Sequence, residues 1–456
     1  WSFYRKGTVR YVHPLLPPGL DMLEAQIDAL HRRNIKAIGY YSSFDSDPAG
    51  REFPEWRVFT AKGEPNGRCM CMQSPMLEKW SFRYWLLKQY VKLAYWLFHR
   101  EIVVSGRENI PRGQPVIFAS NHPNALSDIL SLVCAAPQQV VWMGRASLFK
   151  ARWAIPFLRF LKIIPVYRIR DGKDTLKGNE ASFETALGIL KQNGALGLYP
   201  EAAHSGKRVM LAHKKAIPRM VFLAGEKSGD TMNIQIVPVG IHYDQYFHFG
   251  RRLLISFGKP LPSAGYYPLY RQNPHQATLR LRDDIYNAIL PLVLNYQSDT
   301  HYEGFEAVRE IAGKSFARAQ GLAGTLRGQL HADQALAARL DSLAADHPRE
   351  ATQLAGKATQ LRLDFRNLKL RSWLCDHSEE NKSKAWLSTL LLLATFPFFL
   401  QGWVFNIIPF AGLGKGIKGR IKDPVWFSTF TFGLGIVVFP LFYLLILLVA
   451  VSSFLP

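Results

Sequence analysis

The segment from Phe118 to Leu132, FASNHPNALSDILSL, constrains the fold of this chain most strongly. An apolar, strand-like run from Pro115 to Ala119 ends at Ser120, and after a Pro-Asn break a segment with helical spacing begins. His122 lies in the break and Asp128 lies near the start of the helix. A histidine at a strand end with a carboxylate one helical turn away can act as a general base. The alternative is an ordinary strand-turn-helix unit, since His and Asp are common near turns.

Three later segments carry related patterns: Ile163–Arg170 (IIPVYRIR), Gly197–Lys207 (GLYPEAAHSGK) and Ile234–Tyr243 (IQIVPVGIHY). In this order after the first segment, they resemble the glycerophosphate and lysophosphatidate acyltransferase family. That family carries an Asn-His-x4-Asp block, a Pro-Val-x-Arg block, a Phe-Pro-Glu-Gly block and a Val-Pro-Val block. The resemblance covers roughly Met76 to Tyr296 and implies that His122 is the catalytic base.

The chain departs from the family pattern in two places. Five residues, not four, separate His122 from Asp128. Because one extra helical residue would turn the carboxylate by about 100°, we expect Pro123–Asn124 to absorb it as a turn, with Pro at the first helical position. The third block reads Pro-Glu-Ala-Ala-His-Ser where the family usually has Pro-Glu-Gly-Thr-Arg-Ser. Glu201 and Ser205 match, but the arginine is missing.

The resemblance also implies which side chains hold the acyl acceptor. A basic residue precedes the Leu-Phe pair in the family, and Arg145 occupies that position, with a solvated surface charge as the alternative. Arg168 ends a predicted strand, and a guanidinium can bind phosphate with two hydrogen bonds. His204 or Lys207 is expected to supply the charge of the missing arginine. Glu201 is expected to bind the glycerol hydroxyl, with a local salt bridge as the alternative. The predicted site residues are His122 and Asp128 for catalysis and, for substrate binding, Asn121, Arg145, Arg168, Glu201, Ser205 and Lys207.

The alternation of strands and helices predicts the fold class. It indicates an α/β fold with a mixed, largely parallel sheet covered by helices, the acyltransferase fold of the resemblance. A helical insert and a C-terminal hydrophobic helical hairpin follow. The expected regions are a leader (1–75), an interfacial amphipathic helix region (76–105), a catalytic domain (106–296), a helical region (297–384) and a membrane hairpin (385–456).

The leader resembles a fragment of a fucosidase-like barrel glycoside hydrolase. It contains one helix-strand unit, whereas a closed eight-stranded barrel needs about 200 residues or more. Asp45 and Asp47 are therefore expected to be loop carboxylates and not a glycosidase pair. We interpret the leader as a partial barrel-like unit or a fusion segment.

Charge and apolar segments indicate a membrane. The formal net charge is +21, which favours an anionic partner such as nucleic acid, an anionic membrane or phosphorylated substrates. No nucleic-acid module is recognisable in the sequence. Leu77–Arg100 mixes aromatic and basic residues, as a helix in the headgroup region does, although a core helix is the alternative. Ala385–Phe405 and Val425–Leu455 carry no charge and are long enough to span a bilayer.

The orientation of these segments stays open. Basic residues lie before the hairpin and within its loop, and the positive-inside rule places both groups in the cytoplasm. A re-entrant hairpin would satisfy this rule for both groups, whereas the length of the segments favours two spans. The catalytic domain is expected on the cytoplasmic face of the membrane. The four cysteines do not have the spacing of a zinc site, and their small number indicates a reducing compartment. Residues 1 to 20 lack a continuous apolar run, so no signal peptide is predicted there.

The sequence therefore predicts a membrane-bound O-acyltransferase that acts on lysophosphatidate, with glycerol 3-phosphate as the alternative acceptor. The donor implied by the resemblance is acyl-CoA or acyl carrier protein, and no bound cofactor is expected. No serine or cysteine in these blocks matches a nucleophile pattern, so direct transfer is expected. Two other classes stay open: a non-catalytic lipid-binding membrane protein, and a carbohydrate-active enzyme suggested by the leader alone. The helical region is expected to form a hairpin, Asp333–Ala345 and Arg349–Leu370, with solvated charges and no chemistry.

Overall fold

The computed structural model of the chain describes residues 77, 79–149, 154–166, 177–246, 250–370, 382–418 and 424–454. The predictions for the leader, including Asp45 and Asp47, and for Arg168 lie outside the described residues. The segment Leu77–Pro456 clusters as one compact unit.

The described strands form one eight-stranded sheet. Their bounds are β1 Glu101–Ser105, β2 Val116–Ser120, β3 Val140–Arg145, β4 Ile163–Val166, β5 Ala195–Leu198, β6 Gln235–Tyr243, β7 Arg252–Phe257 and β8 Leu261–Pro262. The order across the sheet is β1-β7-β6-β2-β5-β3-β4, and β8 pairs with β6. All neighbours are parallel except β6 with β7 and β6 with β8. The predicted mixed, largely parallel sheet is confirmed, although the short β8 was not predicted.

Helices cover both faces of this sheet. Their bounds are α1 Phe82–Phe98, α2 Ala125–Ala135, α3 Ala154–Phe160, α4 Lys177–Lys191, α5 Ala216–Ser228, α6 Tyr267–Gln272, α7 Pro274–Ile289, α8 Tyr302–Ala319, α9 Leu326–Asp346, α10 Pro348–Asn367, α11 Lys382–Lys418 and α12 Pro424–Phe454.

The strand β2 lies in the middle of the sheet with both of its faces buried. Ile117 and Ala119 belong to the core cluster that includes α4, α5 and α7. Phe118 belongs to the opposite cluster, with side chains of α1 and α2. Successive side chains of a strand point to opposite faces, so a strand covered on both sides needs an unbroken apolar run. This burial explains why the sequence VIFAS is apolar up to its final residue.

The helix α1 has one buried face and one exposed apolar face. Tyr84, Val91 and Tyr95 are buried against the domain, while Trp85 and Trp96 are 40% and 63% exposed. The core interpretation is confirmed for the buried face, and contact of the exposed face with lipid headgroups stays a prediction. Lys88 is buried, which was not predicted because lysine side chains are mostly exposed. Its Nζ donates to the carbonyls of Ala136 and Gln138 at 2.8 and 3.1 Å, just beyond the end of α2.

The helical region forms a three-helix bundle of α8, α9 and α10, not a two-helix hairpin. Gly304 of α8 allows close approach to α10, because a Cβ there would lie 2.3 Å from the Cβ of Ala355. The prediction of wholly solvated charges is wrong: Glu306, Arg309 and Asp333 are largely buried and bind one another. The third helix was missed as a separate element because the sequence pattern between residues 278 and 374 is typical of helix throughout and does not mark where one helix ends and the next begins.

The two C-terminal helices are long and apolar. By length and composition, Trp386–Gly412 and Thr429–Ser453 can each cross a membrane. The helix α12 also contacts the domain, because Phe432 packs against Tyr95 with ring centroids 5.6 Å apart. Pro397 lies within α11 without ending it. The first turns of α12 thus lie next to α1 and α2.

Candidate active site

The carboxyl ends of β2, β5 and β6 meet at one edge of the sheet, because these strands are adjacent and parallel. Ligands of such sheets commonly bind at this edge. The chain leaves β2 towards His122 and leaves β5 towards Glu201, and the backbone N–H of His122 donates to Glu201 Oε1 at 3.1 Å. Tyr243, the last residue of β6, donates from its hydroxyl to Asp128 Oδ1 at 2.9 Å. Strand order therefore brings separate sequence segments together.

His122 and Asp128 form a hydrogen-bonded pair, with 2.9 Å between Nδ1 and Oδ2. The Asp128 side chain is fully buried, and that of His122 is 15% exposed. The backbone N–H of Asn124 also donates to Oδ2, at 2.6 Å. Because the carboxylate accepts the Nδ1 proton, the lone pair of the imidazole lies on Nε2. The imidazole can therefore take a proton at Nε2, and the carboxylate stabilises the resulting cation.

The turn before α2 accommodates the fifth intervening residue. Asn124 precedes the helix with φ −142° and ψ 58°, and Ala125 starts it with a φ of +39°. Pro123 lies before the helix and not at its first position, so that detail of the prediction is wrong. The turn itself lies where the sequence predicts it. It keeps Asp128 in the first turn of α2, facing His122.

Aromatic rings fix the orientation of the imidazole. The Tyr199 ring stacks on His122 with centroids 4.1 Å apart and planes 19° apart. Trp142 lies parallel to Tyr199, with centroids 6.1 Å apart. His204 lies edge-on to His122 at 5.9 Å. The stack restricts rotation of the imidazole and adds to the hold of Asp128.

Glu201 is a buried carboxyl group held by backbone donors. Its Oε1 accepts from His122 and its Oε2 accepts from the N–H of Leu211 at 3.3 Å. Burial raises the pKa of Glu201 to about 8, and the negative charge of Asp128 adds to the rise. Among the described residues, Glu201 forms no salt bridge, which was the alternative interpretation of this carboxyl group. Glu201 ties the loop after β5 to the loop that carries His122.

The side-chain amide of Asn121 is bound by the backbone of β6. Its Nδ2 donates to the Ile241 carbonyl at 3.0 Å, and its Oδ1 accepts from the Ile241 N–H at 2.8 Å. These two bonds place the end of β2 beside β6, so Asn121 has a positioning role. A contact between Asn121 and substrate stays a prediction.

A cleft opens beside the loop that bears Glu201. Its empty volume is about 290 Å³, part of it open to solvent. Four of the predicted substrate-binding residues line it: Asn121, Glu201, Ser205 and Lys207. Arg145 ends β3 with an exposed side chain and is not part of the lining. The structure therefore gathers four of the six predicted binding residues and separates Arg145, while Arg168 lies outside the described residues.

The residues after Glu201 form a tight loop at the mouth of this cleft. Ser205 Oγ donates to the carbonyl of Lys207 at 2.9 Å and accepts its N–H at 3.2 Å. The Lys207 ammonium lies 4.9 Å from the centre of the Tyr302 ring. Ser205 thus shapes the loop, and Lys207 brings positive charge to the cleft.

A second layer of polar residues supports Asp128 and was not predicted from the sequence. The Tyr243 hydroxyl also lies within hydrogen-bonding distance of Ser127 Oγ, at 3.2 Å. Arg251 is buried, with Nη2 donating to Ser127 Oγ at 2.5 Å and the guanidinium 4.3 Å from the Tyr243 ring. Tyr243 is the last residue of the block Ile234–Tyr243, so its place at a predicted strand end could have indicated that it lies near the site. Arg251 carried no motif.

No metal site is evident among the residues that the structure describes. Within them, no group of three or more His, Cys, Asp or Glu side chains could hold a metal ion. The expectation that the protein needs no metal or bound cofactor stays a prediction.

A mostly parallel sheet with a His-Asp pair at its carboxyl edge defines an acyltransferase-like class of site. The family model described as Acyltransferase matches residues 101–242, which include every element of that pair. The match is confined to this part of the chain and supports the resemblance to the acylglycerophosphate acyltransferases.

Similar curated proteins have related names. The chain is 25% identical over 118 residues to glycerol-3-phosphate O-acyltransferase 2 of Saccharomyces cerevisiae, covering 26% of this chain and 16% of that protein. It is 23% identical over 173 residues to a 1-acyl-sn-glycerol-3-phosphate acyltransferase of Borreliella burgdorferi, covering 38% and 63%. A protein of the same name from Bacillus subtilis is 26% identical over 110 residues, covering 24% and 52%.

The matched region spans less than two thirds of the length of each of these relatives. Among solved structures, the chain is similar to the 1-acyl-sn-glycerophosphate (LPA) acyltransferase PlsC from Thermotoga maritima. That comparison has 20% sequence identity and a TM-score of 0.34, and it covers 46% of this chain and 78% of the other.

Proposed function

We propose that this protein is a membrane-bound O-acyltransferase that transfers a fatty acyl group from an acyl thioester to the hydroxyl of lysophosphatidate. The observation that carries the proposal is the hydrogen-bonded pair of His122 and Asp128 at the carboxyl edge of the sheet. This pair has the geometry of a general base whose tautomer is fixed.

The reaction requires one proton to move twice. His122 Nε2 takes the proton of the acceptor hydroxyl as its oxygen attacks the thioester carbonyl. The carbon-sulfur bond then breaks, and the imidazolium returns the proton to the leaving thiolate. Oxygen, carbon and sulfur thus exchange partners without a covalent enzyme intermediate. Asp128 keeps Nδ1 protonated and stabilises the imidazolium between the two transfers.

The described cysteine supports direct transfer. Burial raises the pKa of Cys134 to about 12, and a thiol is a good nucleophile only as the thiolate. Its position on the far part of α2, beyond Asp128, also separates it from the cleft. The acyl-enzyme route therefore has no candidate thiol among the described residues.

Positive charge near the cleft suits a phosphate-bearing acceptor. Lys207 lines the cleft, and we propose that it binds the acceptor phosphate together with Arg168. Glu201 and Ser205 hold the loop that presents Lys207. The same site suits glycerol 3-phosphate, and one similar protein bears the name of a glycerol-3-phosphate acyltransferase.

We propose that the C-terminal helices and the exposed face of α1 hold the domain on a membrane. The helix α12 packs on α1 and α2, so the helix that carries Asp128 lies close to the apolar hairpin. An acceptor with one acyl chain could thus reach the cleft from the membrane surface. The catalytic domain is proposed to face the cytoplasm, where acyl-CoA or acyl carrier protein would supply the acyl group.

An acceptor panel tests this proposal. The full chain in detergent would be given a labelled acyl thioester with lysophosphatidate, glycerol 3-phosphate or monoacylglycerol. We expect labelled phosphatidate from lysophosphatidate and little product from monoacylglycerol. Product from glycerol 3-phosphate alone would change the acceptor, and no product from any acceptor would favour a non-catalytic lipid-binding protein.

A further inference from the structure

The side chain of Tyr302, the first residue of α8, contacts the cleft loop from outside the matched domain. Its hydroxyl accepts the backbone N–H of Arg208 at 3.1 Å, and its ring lies 4.9 Å from the Lys207 ammonium. Tyr302 is 6% exposed and packs edge-on against Tyr296, with centroids 5.7 Å apart. The helical bundle thus supplies a rigid aromatic platform to two consecutive residues of the loop.

Arg208 cannot serve as a substrate ligand, because its guanidinium is already bound. Its Nη1 and Nη2 donate to the carbonyls of Tyr243 and Asp244, each at 2.7 Å. Its Nε donates to Glu306 of α8 at 3.0 Å. Arg208 follows the block that lacks the family arginine, but it does not replace that arginine, because its guanidinium is already hydrogen-bonded to protein groups.

Further buried charges hold α8 against the rest of the bundle. Arg309 contacts the Glu306 carboxylate at 2.5 Å and the carboxylate of Asp333, in α9, at 3.3 Å. The two arginines lower the pKa of Glu306 well below its ordinary value, against the effect of its burial. Buried pairs of this kind are costly to break, since each partner would be left without a counter-charge. Tyr302 therefore has a fixed position relative to β6.

Lys207 is held by a ring and not by a carboxylate. Within the described residues it forms no ion pair, and its side chain is exposed at the cleft. A cation over an aromatic face keeps its full charge, because the ring is neutral. An ammonium held in this way is both positioned and free to bind an anion.

We propose that Tyr302 is a positioning residue for the acceptor: it holds the Lys207 ammonium at the cleft, where that ammonium binds a phosphate monoester. The helical bundle is then part of the acceptor site and sets the preference for phosphorylated acceptors. This inference rests on the proposed acyltransferase function for its choice of acceptor but not for the binding itself.

Calorimetric titration of the full chain in detergent with glycerol 3-phosphate tests the binding step. We expect Tyr302→Leu to weaken binding about two- to fivefold, the range of an exposed cation-aromatic contact. Tyr302→Phe keeps the ring and should stay within about twofold of the parent. Lys207→Met should weaken binding at least as much as Tyr302→Leu, whereas Lys214→Met, a lysine outside the cleft lining, should not. Unchanged binding in Lys207→Met overturns the proposal even if Tyr302→Leu does not fold.

A kinetic arm separates positioning from general damage. For lysophosphatidate, we expect Tyr302→Leu to raise KM by the same factor while kcat stays within about twofold. Monoacylglycerol has no phosphate, so its slow transfer should have the same kcat/KM in Tyr302→Leu as in the parent. An equal relative fall in kcat/KM for both acceptors would overturn the proposal. If the parent transfers no acyl group but the calorimetric differences appear, the proposed function fails and the phosphate site stands.

Discussion

At the scale of single residues, Glu201 combines burial with a carboxyl group that titrates near neutral pH. Its pKa is raised from an ordinary value of 4.5 to about 8. The folded protein therefore binds a proton at Glu201 between these two pH values, and the unfolded chain does not. Stability from this group is present below about pH 4.5 and is lost as the pH rises through about 8.

This titration predicts a pH-dependent effect of Glu201→Gln. Midway between these two pKa values, near pH 6, the parent loses up to about 1.4 kcal/mol of unfolding free energy per pH unit from this group, and the glutamine variant cannot. We expect the apparent Tm of the parent to fall relative to the variant between pH 5 and pH 8. Thermal unfolding in detergent at four pH values measures it, and parallel curves would contradict the raised pKa.

Ala202 adopts a backbone conformation that disfavours a side chain. Its φ is +55°, in the left-handed region where glycine has no penalty. The related family block has glycine at the same place, so the alanine is strained here. We expect Ala202→Gly to raise the free energy of unfolding by about 1 kcal/mol.

Ala203→Gly is the matched control for that substitution. Ala203 is outside the left-handed region, so glycine there should lower the unfolding free energy by about 0.4 to 1 kcal/mol. Thermal unfolding of both variants under one condition makes the comparison. Equal shifts of the same sign would contradict the argument from φ.

At the scale of elements, α1 presents its apolar outer face beside α12. Trp85 and Trp96 on this face are exposed in the protein. If the face lies in lipid, a polarity-sensitive fluorophore attached there should report an apolar environment. We expect Trp85→Cys, labelled in a background without the four native cysteines and placed in nanodiscs, to be quenched by lipid-attached nitroxide.

Labelled Leu363→Cys on α10 is the control for that experiment, because Leu363 is 43% exposed and the bundle is proposed to lie outside the membrane. Its fluorophore should remain unquenched. Equal quenching at both positions, or at neither, would remove α1 from the proposed membrane surface.

The sequence predicted most elements because local patterns decide them. The strand from Val116 to Ser120 is apolar up to its final residue, as burial on both faces requires. The face of α1 was harder to predict, since Trp and Tyr are as suitable for a core as for a membrane surface. The burial of Lys88 could not be predicted from local sequence, because the Ala136 carbonyl that binds its ammonium belongs to a distant part of the chain.

At the scale of the whole molecule, distant contacts were beyond the sequence. The bond between Arg208 and Glu306 joins residues 98 apart, and no local pattern identifies either partner. The pairing of His122 with Asp128 is short in sequence and carried a motif, so it was found. Asn121 was predicted to bind substrate because of its place in the motif. The motif cannot show that the side-chain amide of Asn121 is hydrogen-bonded to the backbone of Ile241.

The described part of the chain joins a sheet, a helical bundle and an apolar hairpin around one loop. Glu201 ties that loop to His122, Arg208 ties it to the bundle, and α12 packs on the helix that carries Asp128. The proposed chemistry needs all of these parts to place one imidazole. The role of that imidazole is therefore the central claim.

Acyl transfer to lysophosphatidate by the parent and by His122→Ala tests that claim most directly. A general base contributes on the order of 10² to 10⁴ in rate, so we predict a loss of that size in kcat in a variant that still unfolds cooperatively. His331→Ala, an exposed histidine of α9, should retain the parent rate. Equal turnover by the parent and His122→Ala would contradict the account.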